Sequence, residues 1–166
     1  MKFIISRLSQ LLLAILATAP LAVHSNSIAL AETEDLYATL TIEVVGLLTS
    51  KGGEVCIRLF NQETGFPYGP QGLYLQSCDP VTAESQILEF SGVDFGAYAI
   101  ALVHDTNGNQ KLDKNFFGIP KEGFGFSNNP TVSAKTREPN FERAGFAIEQ
   151  PSTNVRISVK YDLDPS

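Results

Sequence analysis

The sequence predicts an all-β chain: an antiparallel β-sandwich of about seven strands that carries one long ordered loop. Three observations carry that expectation. Apolar and polar residues alternate with period two along most of the apolar segments. No segment sustains a helical period. Gly, Pro, Asn and Asp punctuate the gaps between segments.

The elements follow in chain order. Lys2 and Arg7 precede an apolar stretch, Leu11 to Val23, that is short for a membrane span and is interrupted by Pro20. Ala29 and Ala31 put small residues where a signal peptidase reads, so residues 1–31 read as a secretory signal peptide and 32–166 as a single β-sandwich domain. Leu36 to Leu47 sets Leu40, Ile42 and Val44 on one side of a first strand. "EVCIRLFN" gives Val55, Ile57 and Leu59 one face, and Cys56 and Phe60 the other. "GLYLQS" is a weaker strand, and "SQILEF" another. "GAYAIALVHD" is apolar on both faces, which places it centrally, covered on both sides. From Asp105 to about Glu142 no strand or helix is apparent, yet Leu112, Phe116, Phe117, Ile119, Phe124 and Phe126 can be buried. A connection that long is usually functional, and its apolar side chains predict that it folds back over one end of the sandwich. "AGFAIE" and the alternating "NVRISVKYD" complete the set, the latter with Val155, Ile157, Val159 and Tyr161 on one face.

Charge and cysteine usage bound the setting. The chain carries 12 basic and 18 acidic residues; residues 1–31 hold two of the basic and none of the acidic, so ten against 18 remain, a net −8. That balance argues against nucleic acid and against an anionic membrane surface as partners, and no stable membrane anchor is expected after cleavage. The setting predicted is export, to the periplasm or beyond the cell. Cys56 and Cys78 then form one disulfide. A Cys-only metal site would lack ligands, because His104 is the one histidine beyond residue 31.

The long loop holds the chemistry. Asp105, Asn107 and Asn109 stand at positions one, three and five of a calcium-type loop, with the Lys111 carbonyl at seven and Asp113 at nine. Alternate side chains in a tight turn converge on one centre, and hard oxygen donors suit Ca²⁺. Gln110 stands where the turn calls for Gly, and Phe116 where the closing carboxylate belongs; Glu122 could reach back to supply one. Affinity for Ca²⁺ is therefore expected to be weak. The competing reading is a loop that bonds only itself, since Asp and Asn cap turns without any ion. Lys111, Lys114 and Lys121 offset Asp105, Asp113 and Glu122 in formal charge. His104 and Asp105 are adjacent on a strand and point to opposite faces, so they make no natural dyad; His104 is expected to hydrogen-bond the loop backbone.

The run "GAYAIALVHDTNGNQKLDKNFFGIPKEGFGFSNNP", with "PNFERAGFAI" and the last alternating strand, resembles a bacterial exported family named domain of unknown function 2141. The similarity spans Leu36 to Tyr161, and members more often carry Gly where Gln110 stands. The resemblance implies an exported β-sandwich and supplies no activity. "FSGVDFGAYAI" is in addition similar to the strand–turn–strand of transthyretin-like sandwiches, so the architecture expected is immunoglobulin-like or transthyretin-like.

Three functions compete. The leading one is a non-catalytic exported domain whose loop, ordered by Ca²⁺ or not, binds a small-molecule ligand or a protein partner. A hydrolase would use His104 with Asp105 or Glu122. A small-molecule carrier would use transthyretin-like architecture. A groove lined by Phe116, Phe117, Phe124 and Phe126 would favour binding; a His104 set beside a carboxylate would favour the enzyme.

Overall fold

A computed structural model describes residues 36–165, so the expected signal peptide, 1–31, lies outside the described residues. Eight strands follow one another: β1 (Ala38–Val45), β2 (Glu54–Phe60), β3 (Leu73–Pro80), β4 (Ser85–Val93), β5 (Gly96–Asp105), β6 (Gly123–Phe126), β7 (Gly145–Ile148) and β8 (Ser152–Ser158). One four-residue helix, α1 (Phe141–Ala144), precedes β7; the Asn140 side chain caps it by accepting from the Arg143 N–H at 3.0 Å. The strands form two sheets, one in the order β4-β1-β8 and one in the order β3-β2-β5-β6, with β7 pairing the remaining length of β5.

Alternation builds the layer between the sheets. Ala38, Leu40, Ile42 and Val44 of β1 are buried together with Val55, Ile57 and Leu59 of β2 and Tyr98, Ile100 and Leu102 of β5. Each Val, Leu or Ile side chain among them contributes about 1.5–3 kcal/mol through burial. The seven strands read from the sequence are all present. Their pairings are antiparallel except one: β8 runs parallel to β1. Connectivity dictates this exception. β7 ends with Ile148 beside Gly96, at the same end of the sandwich where β1 begins. Pro151 then crosses to the smaller sheet, its carbonyl accepting from Thr39 N–H at 2.8 Å, and from there β8 can only run along β1.

The region from Asp105 to Glu142 departs from expectation in three ways. It contains β6 and the start of α1. It covers the outer face of the larger sheet and not one end: Phe60, Ala99, Ala101, Phe124, Phe126, Val132 and Ala144 form a second apolar cluster, against which Leu112 and Phe141 pack. And only part of its apolar set is buried. Phe124 and Phe126 are 1% and 2% exposed, whereas Phe116, Phe117 and Ile119 are 98%, 82% and 42% exposed. β5 is thus covered on both faces, as its composition required.

Strand β6 reads GFGF because the C-terminal segment lies directly on it. A Cβ at Gly123 would sit 2.7 Å from Tyr161 Cε1, and one at Gly125 would sit 2.7 Å from Ile157 Cγ2. The approach is sealed by Phe124 N–H to Lys160 O at 2.9 Å and Lys160 N–H to Phe124 O at 2.8 Å. Cys56 and Cys78 stand directly opposite on β2 and β3 and are joined by the expected disulfide. Among the described residues no helix is long and apolar enough to cross a membrane.

Candidate functional site

Strand β5 delivers Asp105, fully buried, to the mouth of the long loop. Its Oδ1 accepts from the N–H groups of Asn107 (3.1 Å), Gly108 (2.8 Å) and Asn109 (3.3 Å), and its Oδ2 from Gln110 N–H (2.5 Å). One carboxylate therefore winds the turn around itself. Gln110 takes the left-handed conformation that the position demands (φ 58°) without being glycine. Asn107 and Asn109 each donate a side-chain amide to Asp113, at 2.7 and 3.1 Å, and their own oxygens accept from Asn109 N–H and Lys111 N–H. Glu122 does reach back: Oε1 accepts from Thr106 N–H and Oγ1–H, and Oε2 from Asp113 N–H. The four side chains expected to converge, and Glu122 with them, are brought into one hydrogen-bonded web. The carboxylates of Asp105, Asp113 and Glu122 do not crowd together. Among the described residues the His, Cys, Asp and Glu group whose ligand atoms lie within 4.8 Å of one another is Glu54, Cys56 and Cys78, and its two sulfurs are spent on the disulfide.

His104 lies on the opposite, inner face and is fully buried. Its Nε2 is 2.6 Å from Gly52 O, so it donates there, and its Nδ1, 2.5 Å from Tyr161 Oη, accepts the phenol proton. Leu48 N–H donates in turn to Tyr161 Oη at 2.9 Å. Burial pushes the Tyr161 phenol up, against the Leu48 N–H. The backbone that His104 secures is therefore the β1–β2 connection and not the long loop. Neither Asp105 nor Glu122 is among its partners.

Beyond Asp113 the chain forms a hairpin that the sequence reading did not find. Lys121 N–H donates to Asp113 O, Lys114 bridges Pro120, and Asn115 N–H donates to Ile119 O. The loop of three residues between Asn115 and Ile119 is Phe116-Phe117-Gly118, with Gly118 at φ 78°. A left-handed residue in the third position is what a three-residue hairpin loop requires. Asn115 Oδ1 braces the turn by accepting from Phe117 N–H and Ile119 N–H at 2.9 and 3.0 Å. Phe116 and Phe117 consequently occupy the apex, edge to face with centroids 5.6 Å apart.

A cleft of about 330 Å³ opens between this hairpin and residues 132–138. Leu112, Phe124, Phe126, Val132 and Leu163 line its interior, and Phe117, Ile119 and Ala134 its mouth. Of the four phenylalanines whose common groove would favour binding, three line this cleft; Phe116 stands clear of it. The rim is ionic. Lys114 pairs with Glu138 and sits over the Tyr68 ring, 5.0 Å from its centroid. Burial pushes the Glu138 carboxyl up, but the Lys114 ammonium and Arg137 overrule it and hold the carboxyl below its usual range. Burial also pushes the Tyr68 phenol up, reinforced by Glu138 and opposed by Arg58.

The segment 61–72, which gives Tyr68 to the cleft, was not anticipated either. Arg58, on the outer face of β2, donates from its two terminal nitrogens to Tyr68 O and Gly69 O at 2.8 and 3.0 Å, and so pins this segment to the sheet. Phe66 meets Phe60, Phe126 and Phe141 with centroids 5.3, 6.1 and 5.9 Å apart. The available signal was the aromatic spacing in "GFPYGP", apolar side chains inside a loop whose breakers exclude a strand.

Comparisons with known proteins place the chain at the level of family. No curated protein and no solved structure matches the chain. A family model described as "uncharacterized protein conserved in bacteria (DUF2141)" matches residues 42–156, from the first strand through the loop to the last strand. The match covers most of the chain, including the long loop and the hairpin, and the chain belongs to that bacterial family.

Proposed function

We propose that the protein is an exported, non-catalytic binding module that takes a small, largely apolar ligand into the cleft under the 113–121 hairpin. The cleft carries the reading: apolar walls contributed by Leu112, Phe124, Phe126 and Val132, with an ionic rim at Lys114, Glu138 and Arg137. Sites of this size and mixed lining suit small ligands whose polar end stays at the mouth. The position of His104 supports the non-catalytic part, because both ring nitrogens are engaged on the buried face turned away from Asp105. The disulfide supports export. Intact mass of the secreted protein checks it, and a mass that retains residues 1–31 overturns it.

Cleft binding is tested with 1-anilinonaphthalene-8-sulfonate, two apolar ring systems with one anionic group. Wild type is expected to enhance its fluorescence saturably. Ala134→Trp, which fills the mouth, is expected to abolish that. Equal enhancement by both proteins refutes the cleft.

A second reading places Ca²⁺ in the turn, held by Asp105, Asn107, Asn109, the Lys111 carbonyl and Asp113. What supports it is the left-handed Gln110 together with the gathering of Asn107 and Asn109 on Asp113. The two amides face Asp113 through nitrogen and would have to turn their oxygens inward to bind the ion. Ca²⁺ would then brace the base of the hairpin, with an affinity in the range of about 10⁻⁴–10⁻³ M. Ten times that concentration adds about 1.4 kcal/mol to stability. A thermal melt unchanged between millimolar Ca²⁺ and chelator removes this reading.

A further inference from the structure

The hairpin apex is a second surface, distinct in use from the cleft. Phe116 is 98% exposed and does not line the cleft, and Phe117 beside it is 82% exposed. Adjacent aromatic side chains held this far into water by a braced turn are rare on a soluble surface and mark an interaction site. The apex is convex, so a folded partner would need a matching pocket, whereas a fluid interface needs none.

Charge around the apex decides between these partners. Between Lys111 and Arg143 there are six basic residues against four acidic ones, while the rest of the described chain has four against eleven. Of the four acidic groups, Glu122 is buried under backbone N–H donors, Asp113 is held by two amides, and Glu138 is paired with Lys114. Lys111 and Lys121 flank the hairpin base, are exposed, and make no ion pair among the described residues. An acidic protein thus presents a basic collar around an aromatic tip. The apex stands about three strand residues, roughly 10 Å, beyond the Asp113–Lys121 base. Exposed charges are screened over about 8 Å at physiological salt, so a surface into which the apex sinks, and which thereby approaches the hairpin base, feels Lys111 and Lys121 ahead of the net charge of the body.

We propose that Phe116 and Phe117 insert into the headgroup region of an anionic phospholipid bilayer, with Lys111 and Lys121 against the lipid phosphates. This reverses the expectation drawn from net charge alone. Aromatic side chains entering the interface with basic residues behind them is the general pattern of reversible surface binding.

The experiment is co-sedimentation of the exported protein with vesicles of phosphatidylcholine alone or with 30% phosphatidylglycerol (about 0.15 M salt). Wild type is expected to bind the anionic vesicles and to be released by about 1 M salt. Phe116→Ser should weaken binding on the order of ten- to a hundred-fold. Lys111→Glu and Lys121→Glu should each weaken it by at least about five-fold. All three positions are exposed, and an unchanged melt confirms that each variant folds. Ala134→Trp separates the two proposals: it should lose the fluorescent probe and keep the vesicles. Absence of wild-type binding to anionic vesicles overturns membrane docking, and so does binding indifferent to Phe116→Ser. Photocrosslinking from position 116 to a protein without any vesicle binding overturns it in favour of a protein interface.

Discussion

Asp105→Ala tests whether the candidate site is built around one carboxylate. The side chain is fully buried and accepts four backbone N–H groups of its own turn. Hydrogen bonds to a charged acceptor contribute about 1.5–3 kcal/mol each, but four on one group do not add. One of the four has a fallback, since Asn109 N–H also meets Asn107 Oδ1 at 3.1 Å. The other three donors lose their protein partner, and water reaches them only if the turn loosens. A loss of about 3–5 kcal/mol follows. Unfolding entropy near 2.1 cal/mol/K per residue, over the 130 residues from 36 to 165, makes each kcal/mol worth about 4 °C. The expected fall in melting midpoint is thus about 11–18 °C, measured by circular dichroism in chelator. Asp113→Ala serves as the contrast. Its partners are two exposed asparagine amides, so about 1 kcal/mol, or about 4 °C, is expected. A midpoint for Asp105→Ala within about 4 °C of wild type refutes the reasoning, as does equality of the two variants in chelator.

Three further predictions rest on the fold. Reducing the Cys56–Cys78 bridge, or replacing both residues by Ala, should cost about 3 kcal/mol by the chain-entropy model, read from urea midpoints; two titratable thiols in the unreduced protein would exclude the bridge. Gly125→Val should lower the melting midpoint by more than about 8 °C, since its Cβ would already stand 2.7 Å from Ile157 Cγ2 and 3.1 Å from Ser158 O, and a stable variant would contradict the packing of β8 on β6. Tyr98 is pushed up to about 12, first by burial and then by Tyr74 and Asp94. The fold prefers its neutral phenol, so this contribution is complete below the unfolded value of about 10 and is lost as pH rises through about 12. Difference ultraviolet titration of wild type against Tyr98→Phe should show the missing phenol at the alkaline end, and a missing component near 10 would contradict the assignment.

Much of the sandwich could be read in advance because its physics is periodic. Leu40, Ile42 and Val44 alternate with polar neighbours and are buried as a row; Ala99 and Ala101 alternate with Ile100 and Leu102 because both faces of β5 are covered. Strand β6 escaped for the converse reason. Gly123 and Gly125 have no side chains because the segment around Tyr161 occupies that space, and a two-residue glycine period carries no hydropathy signal. The parallel β1–β8 pairing was hidden because strand direction depends on where a connection crosses, which composition does not encode. Within the site, the oxygen-rich turn and the return of Glu122 were visible as spacing. The hairpin was not, because its loop residues are phenylalanines, which ordinarily predict burial. Only Gly118, three residues after Asn115, betrayed the turn. Net charge has a limit of the same kind: an average over the chain does not show that six basic residues fall between Lys111 and Arg143.

The neighbourhood of β1 and β8 has a kinetic side. Their exposed Arg156–Glu43 ion pair joins residues 113 positions apart, and the whole ladder shares that separation. β2 with β3, by contrast, closes within about two dozen residues. Because the entropy of closing a loop must be spent before a distant pairing can reward it, the larger sheet can begin to assemble from local meanders while the smaller one waits for the last strand. A chain threaded from its N-terminus across a membrane would therefore leave β1 with one free edge until residues 152–158 arrive. The polar outer residues Thr39, Thr41 and Glu43 keep that waiting strand soluble on one side, and premature pairing with another copy is the hazard its sequence has to resist.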